Sequence, residues 1–578
     1  MRSPNPAVAR PSFRRTWLIL AALVPFVVRA SEAPSTGAPH KEPVPANSKV
    51  HHPWAGGVDP RPTVTSITKS KTDTGDQLLL RWSGLTGPYK VQSSSDLQGA
   101  PWTAVGDQTT EQSLLLSVPD GNAFFRVQAP PPVYLSESTC RGCHPKAHNG
   151  VADTAHAHAL DTLKRIGQVG NARCLPCHTV GYGLPGGFVS EAATPLLGGV
   201  QCENCHGPGG AHVADPGDLA ARPVVSAASM VCGGCHTDFH HPTYDEWLEA
   251  GHSRVHPELV TGFMNTNIVA GQARMRACGA CHSGGVRLAM LNGAEATPPV
   301  DLPAMPSGDV AANTPMTCTV CHTAHEKTPY GAQLRNPPYS TNFFSYSTST
   351  NTNFTLQYQV DVNICAQCHN QRGAAWSSAG RPPHHSPQYN MLIGNIGNAA
   401  VVGVDLSALP QSSHREITKQ CTHCHTHGHG AENPSEEDPV YTGHSFKPLP
   451  ENCVPCHTVE EAEAFVTFRQ RNTKESIAAV KALLDKWGET KSPEPLRAKY
   501  GKLAWEFSSV GQLSTPTNGT TVAGPTSSEQ TLIPDEIKKS RFLLYMVEHD
   551  GSYGVHNGRF STGVLNESKK LVEAKLAE

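Results

Sequence analysis

Apolar positions along the chain follow three different rhythms. A run of twelve, WLILAALVPFVV (Trp17–Val28), follows Arg10, Arg14 and Arg15 and precedes the small residues Ala30 and Ala33. It is too short to cross a bilayer, so residues 1–30 read as a cleaved export signal. Residues 31–60 are rich in Pro, Ser, Ala and Gly and read as a linker. Strand-like runs then recur: TVTSIT (63–68), QLLLRWS (77–83), YKVQSSS (89–95), SLLLSV (113–118) and AFFRVQ (123–128). The turn signals TGD, LTGP and PDGN separate them, which predicts a small antiparallel β-sandwich over 61–130. Trp82, Trp102 and Phe124 are its expected core, and APPPV (129–133) makes a stiff joint to the rest of the chain. From 131 to 457 little regular structure is expected between short cysteine motifs. Helical periodicity returns in 459–488 and again in 533–550, with Pro534 near the second start. A polar loop, 515–529, lies between them. Residues 458–578 form a helical C-terminal region.

Composition sharpens this outline. The 578 residues suffice for roughly three or four domains. The counts of 51 Gly and 48 Pro fit a loop-rich middle. Lys and Arg number 46 against 49 Asp and Glu, so the basic excess of a nucleic-acid binder is missing. No stretch after the signal is long and apolar enough to span a membrane.

The cysteines carry the chemistry. All 18 fall into nine C-x-x-C pairs, and each pair is followed at once by His. The motifs are CRGCH (140–144), CLPCH (174–178), CENCH (202–206), CGGCH (232–236), CGACH (278–282), CTVCH (318–322), CAQCH (365–369), CTHCH (421–425) and CVPCH (453–457). C-x-x-C-H is the attachment signature of c-type haem. The thiols of Cys140, Cys143, Cys174, Cys177, Cys202, Cys205, Cys232, Cys235, Cys278, Cys281, Cys318, Cys321, Cys365, Cys368, Cys421, Cys424, Cys453 and Cys456 would add to haem vinyl groups. The next residue then lies under the ring and offers its imidazole to iron. These proximal ligands are His144, His178, His206, His236, His282, His322, His369, His425 and His457. Zinc would need two pairs per ion and no fixed His, and a disulfide would need no His at all. Nine covalently bound haem c groups, each with its iron, follow. With about 35 residues per motif no separate core can surround each one, so the chain is expected to be packed around its haems.

Sixteen further histidines fall between His148 and His444. A His just after its own motif is tied to the same haem face and is better placed to serve a neighbouring haem. His325 and His427 or His429 are of this kind. His423, held between two tethered cysteines, is expected to be a bystander. His549 and His556 are expected to be structural or to contact propionates.

The first motifs also suggest a repeat: C-x-x-C-H, an isolated His beside a small residue, C-x-x-C-H, then C-x-x-C-H with a trailing His. Residues 140–212 and 232–325 both follow it, with a looser third set after them.

Several phrases resemble a known family. NARCLPCHTVGYGLPGGF followed by GVQCENCHGPGGAH is similar to multihaem cytochromes of the cytochrome c-552/c-554 type. HHPTYDEWLEAGH, PHHSPQYNML, GHSFKPLPENCVPCH and VEHDGSYGVHNGRF resemble the wider group of octahaem cytochromes, hydroxylamine oxidoreductase and pentahaem nitrite reductase. The N-terminal β-module resembles the fibronectin type III kind. The family pattern implies bis-His ligation for most haems. The implied distal candidates are His156, His212, His240 or His241, His252, His325, His384 or His385, His414, His427 or His429, and His444. No C-x-x-C-K occurs, and no haem-crosslinked tyrosine can be assigned, which weakens an enzyme reading.

The expected architecture is therefore a mainly α and loop, haem-packed cytochrome over 131–457, with the β-sandwich before it and helices after it. The expected role is electron carriage by an exported protein, in the periplasm or at the cell surface. Its partners would be redox proteins such as quinol dehydrogenases or other cytochromes. The rival is a reductase or oxidase of small nitrogen or sulfur compounds with one open haem site. A third reading is a structural haem filament at the cell surface.

Overall fold

A computed structural model describes most of residues 63–128, then 132–254, 278–295, 314–339, 363–509 and 523–578, with Pro455 outside and Pro306 and Leu513 inside. The export signal and the linker lie outside the described residues. The chain divides into two compact units, 1–226 with 230–235, and 227–229 with 236–578.

The first unit begins with six strands: β1 (Thr63–Thr72), β2 (Gly75–Ser83), β3 (Lys90–Ser94), β4 (Thr103–Ala104), β5 (Ser113–Ser117) and β6 (Phe124–Gln128). They form two three-stranded antiparallel sheets, ordered β1-β2-β5 and β4-β3-β6. The alternation seen in the sequence is the cause. In β2, Leu80 and Trp82 point inward and are buried while Arg81 is exposed. Tyr89, Val91, Leu116 and Val127 complete the core, and the Trp82 and Tyr89 rings meet edge to face at 5.5 Å. Trp102 lies outside this core, under the Arg126 guanidinium at 4.4 Å.

The rest of the first unit is short helices joined by turns. A small cluster of Leu160, Leu163, Leu175, Val180, Phe188 and Leu197 holds it. Motif residues supply several of the helices, such as Leu175–His178 and Cys202–His206.

The second unit continues in this style to His457. It then closes with four helices: α1 (Val459–Thr490), α2 (Glu494–Tyr500), α3 (Asp535–His549) and α4 (Gly558–Ala577). Helix α1 starts at a capping box: Thr458 Oγ1 accepts from the Glu461 amide while the Glu461 carboxylate accepts from the Thr458 amide. Its buried Ile477, Val480, Leu484 and Trp487 recur at three- and four-residue steps, which is one helix face. Helix α3 is buried on nearly every side, with Phe542 to Val547 all at 0% exposure. It is the centre of the largest apolar core, built with Trp505, Phe507, Phe560, Val564 and Val572. Arg541 of α3 is fully buried as well. It donates to the carbonyls of Trp505, Glu506 and Ser378 and stacks on Phe507 at 3.9 Å. Among the described residues no helix is long and apolar enough to cross a membrane.

Candidate haem-binding sites

Each motif folds as a turn of helix or a tight turn, because C-x-x-C-H is short enough to close on itself. The histidine amide donates to the carbonyl of the first cysteine in four motifs, His144 to Cys140, His322 to Cys318, His369 to Cys365 and His457 to Cys453, at 2.8–3.1 Å, and both Cys202–His206 and Cys421–His425 are helical turns. That turn puts both sulfurs and the imidazole on one side of the backbone. Among the described residues none of the cysteines forms a disulfide, and no group of three or more His, Cys, Asp or Glu converges as a cage for a metal ion. The donor set thus does not suit zinc. It does suit a planar group anchored at two sulfurs and capped by one nitrogen.

The opposite face can be tested by geometry. An imidazole nitrogen sits about 2.0 Å from a bound metal and roughly 1.1 Å from its own ring centre, so two rings on opposite sides of one ion have centres about 6.3 Å apart. Six motif histidines face a second imidazole near that separation. The pairs are His144 with His212 (6.5 Å), His282 with His384 (5.9 Å), His322 with His444 (6.3 Å), His369 with His252 (6.1 Å), His425 with His556 (6.3 Å) and His457 with His414 (6.4 Å). Separation alone is not enough, since His385 and His549 also stand at 6.3 Å with no tethering thiols beside either. What marks the six is that one ring of each follows C-x-x-C.

The ring nitrogens are oriented as ligation requires. A metal-bound imidazole uses one nitrogen for the metal and donates from the other to a nearby acceptor. Here Nδ1 is the nitrogen turned to the protein. His178 Nδ1 donates to Ala159 O (2.8 Å), His206 to Val224 O (2.8 Å), His322 to Ala332 O (2.6 Å), His425 to Phe446 O (2.9 Å) and His414 to Val555 O (2.8 Å). Nε2 is the nitrogen that would bind iron. At several of the paired rings burial favours the neutral form, the one that binds metal. It pushes His252 down to about 4 and His384 to about 3, with His369 and Arg372 the next contributors to each. His322, His369, His425 and His444 are lowered for the same reason. His556 differs. Burial works against its charged form, but the Asp550 carboxylate beside it overcomes this and holds it above its ordinary value.

Of the other expected candidates, His385 stacks on His384 at 4.5 Å and does not face His282 as His384 does. His429 Nε2 is bonded to Asn452 Oδ1 at 2.6 Å, its ring stacks on Tyr441, and His427 lies 5.1 Å from it. His423 packs at 5.8 Å from His427. His240 lies against Phe239 at 4.2 Å and 6.4 Å from His241. The His156 carbonyl accepts from the Ala159 and Val200 amides, and His325 follows the sixth motif in a turn. His556 was not among the expected ligands. Its only signal in the sequence is its place seven residues after His549, in a loop between two helices.

Motifs distant in sequence also touch through their sulfurs. Cys140 lies in hydrogen-bond reach of Cys202, Cys177 of Cys235, Cys281 of Cys368, and Cys365 of Cys421. Glu203, inside the third motif, ties this region down. Its carboxylate accepts from the Leu135 and Gly209 amides, and burial nonetheless raises it to about 7. Near the eighth motif Gly443 has a φ of +80°, and a Cβ there would meet the Thr426 carbonyl carbon at 2.5 Å. Large apolar side chains stand exposed next to motifs, among them Val213, Val454 and Phe465, whose ring is 5.5 Å from that of His457.

Parts of the chain are similar to known proteins. Residues 139–207 match the family model described as cytochrome c554 and c-prime. Over 85 residues the chain is 36% identical to cytochrome c-554 of Nitrosomonas europaea. That alignment takes in 12% of this chain and 36% of the relative, so only about a third of the relative's length is spanned. The crystal structure of the outer cell wall cytochrome OcwA aligns with 76% of this chain and 99% of its own, at 18% identity and a TM-score of 0.44.

Proposed function

We propose, from the premise that the chain is a multihaem c-type cytochrome, that it holds nine haems and carries electrons along them between redox partners. The observation that carries this reading is the set of six opposed histidine pairs at 5.9–6.5 Å, each anchored by a C-x-x-C-H motif. Bound haem supplies a one-electron ferric/ferrous couple. The protein's own residues do the rest. The paired cysteines fix each ring covalently. At the six motifs with a facing imidazole, both histidines would bind the iron and leave no site for substrate there. Backbone carbonyls at Nδ1 lock the ring orientations. The sulfur contacts between motifs set attachment points side by side, which favours short electron hops.

For the fourth motif, the repeat suggests that His325 stands to His236 as His212 stands to His144. His156, His240 and His241 are the remaining candidates for the second and third motifs and as alternatives for the fourth. The proposed division is a signal over 1–30, a linker over 31–60, a β-sandwich over 61–130, the nonahaem domain over 131–457 and a helical region over 458–578. Export is supported by the apolar run at the N-terminus and by covalent haem attachment, with the periplasm as the first site to test. Quinol dehydrogenases or other cytochromes are the proposed partners.

A second reading is a reductase or oxidase of small nitrogen or sulfur compounds with one open haem site. Two measurements decide between the readings. Haem and iron assays of the purified protein are expected to give nine of each per chain. Electron paramagnetic resonance of the oxidised protein is expected to show low-spin bis-imidazole signals only. A high-spin signal that shifts on adding nitrite or hydroxylamine would overturn pure electron carriage.

A further inference from the structure

The loop between α3 and α4 delivers His556 to the eighth motif, and it delivers a carboxylate with it. Asp550 is almost wholly buried, at 3% exposure. Its Oδ1 accepts from His556 Nδ1 at 2.6 Å, and its Oδ2 accepts from Ser552 Oγ. Ser552 Oγ in turn accepts from the His556 amide at 3.2 Å. The loop is shaped for this: Gly551, Tyr553 and Gly554 all have positive φ, and a Cβ on Gly554 would strike Thr473 Oγ1 at 2.7 Å. Five other rings at the motifs donate Nδ1 to neutral backbone carbonyls, at Ala159, Val224, Ala332, Phe446 and Val555. His556 differs from these five in donating to a buried charge.

We infer that Asp550 is a positioning residue that tunes the iron of the eighth motif, holding it at a lower reduction potential than a neutral acceptor would. The inference rests on the reading of His425 and His556 as an axial pair. A carboxylate at Nδ1 draws the ring proton towards itself and makes Nε2 a stronger donor. A stronger donor and a nearby negative charge both favour ferric over ferrous iron, since reduction removes one positive charge from the centre. No proton leaves the site, and the electron comes from a neighbouring haem or partner. Ser552 limits the effect, because its hydroxyl takes up part of the carboxylate's basicity.

Two variants with opposite expected signs test this on the full haem-loaded protein. In D550N the acceptor stays and the charge goes. One of the nine couples is expected to move to higher potential in an EPR-monitored redox titration, and one low-spin signal to change its g-anisotropy, with haem content unchanged. In S552A the carboxylate is freed, and the same couple is expected to move lower. A merely structural role for Asp550 would not give shifts of opposite sign at one haem. Unmoved potentials in both variants, or shifts in the same direction, would overturn the inference. A third variant, H556M, separates the two levels. If it leaves every haem bis-imidazole, the pairing itself is wrong. If it converts one haem to His–Met ligation while D550N and S552A change nothing, the pairing stands and the tuning fails.

Discussion

At the scale of single residues, the neighbours His384 and His385 show how a site is chosen by direction rather than by identity. Both are imidazoles, adjacent in the chain and stacked at 4.5 Å, yet each faces a different third ring. His384 faces His282 at 5.9 Å and has Nδ1 near Ser386 Oγ at 3.0 Å, while His385 faces His549 at 6.3 Å. Replacing His384 with Met should therefore convert one haem from bis-imidazole to His–Met ligation, seen as a new low-spin species and a rise in one potential. The same change at His385 should leave all axial ligands as they are. Equal spectra for the two variants would show that the choice is wrong. The proximal half of each proposed site could be read from the sequence because covalent attachment would force it into five consecutive residues. The opposite half could not. His252 meets His369, and His425 meets His556, across more than a hundred residues, and no local rule connects them. The adjacent or near-adjacent candidates at 384/385 and 427/429 stayed open for the same reason: sequence gives the residue type, while only tertiary packing gives its direction.

At the scale of elements, the C-terminal helices explain why the last sites are where they are. Periodicity in 459–488 and 533–550 anticipates α1 and α3 to within two residues, because a long helix with one buried face writes its period into the chain. Helix α3 is less legible in its role. Burial on all sides, with Arg541 among the apolar residues, is a property of what packs around it. The loop after α3 supplies the Val555 carbonyl to His414 and carries His556 towards His425, so α3 and α4 brace two sites at once. Gln388 links the same loop to the seventh motif, with Nε2 near the His549 and Asp550 carbonyls and Oε1 3.4 Å from His369 Nδ1. Arg541→Met keeps the bulk but takes the guanidinium from the Trp505, Ser378 and Glu506 carbonyls, of which only Glu506 O keeps another side-chain donor, Gln530 Nε2. The cost should be on the order of 3–5 kcal/mol, the range seen when a buried charged partner is removed. Denaturant unfolding followed by far-UV circular dichroism would read it. The variant should also loosen the loop after α3. A loss under about 1 kcal/mol would mean that water replaces the guanidinium at these carbonyls.

At the scale of the whole molecule, the distribution of apolar core decides what the haems must do for folding. The large cluster lies almost entirely in 391–572, and the β-strands have their own cluster around Leu80 and Trp82. Between them, the stretch that bears the motifs shows only the small cluster around Leu160 and a three-residue one at Ala366, Tyr389 and Ile393, among the described residues. Ordering backbone costs roughly 1–2 kcal/mol per residue, so tens of residues per motif need far more burial than those clusters offer. On the proposed reading the porphyrins would supply further apolar surface, which would make haem attachment part of folding rather than a later addition, as metal binding is for small metal-stabilised domains. Chain exported without haem attachment should then separate into regions under limited proteolysis. Residues 132–457 should be cut within the first minutes, while the β-strand region 63–128 survives and a fragment containing 459–578 persists longer than its surroundings. The haem-loaded protein should resist across the whole of 132–578 at the same protease ratio. Equal resistance of the two forms would mean that the polypeptide alone carries the fold, and the haem-packed reading of the middle of the chain would fall with it.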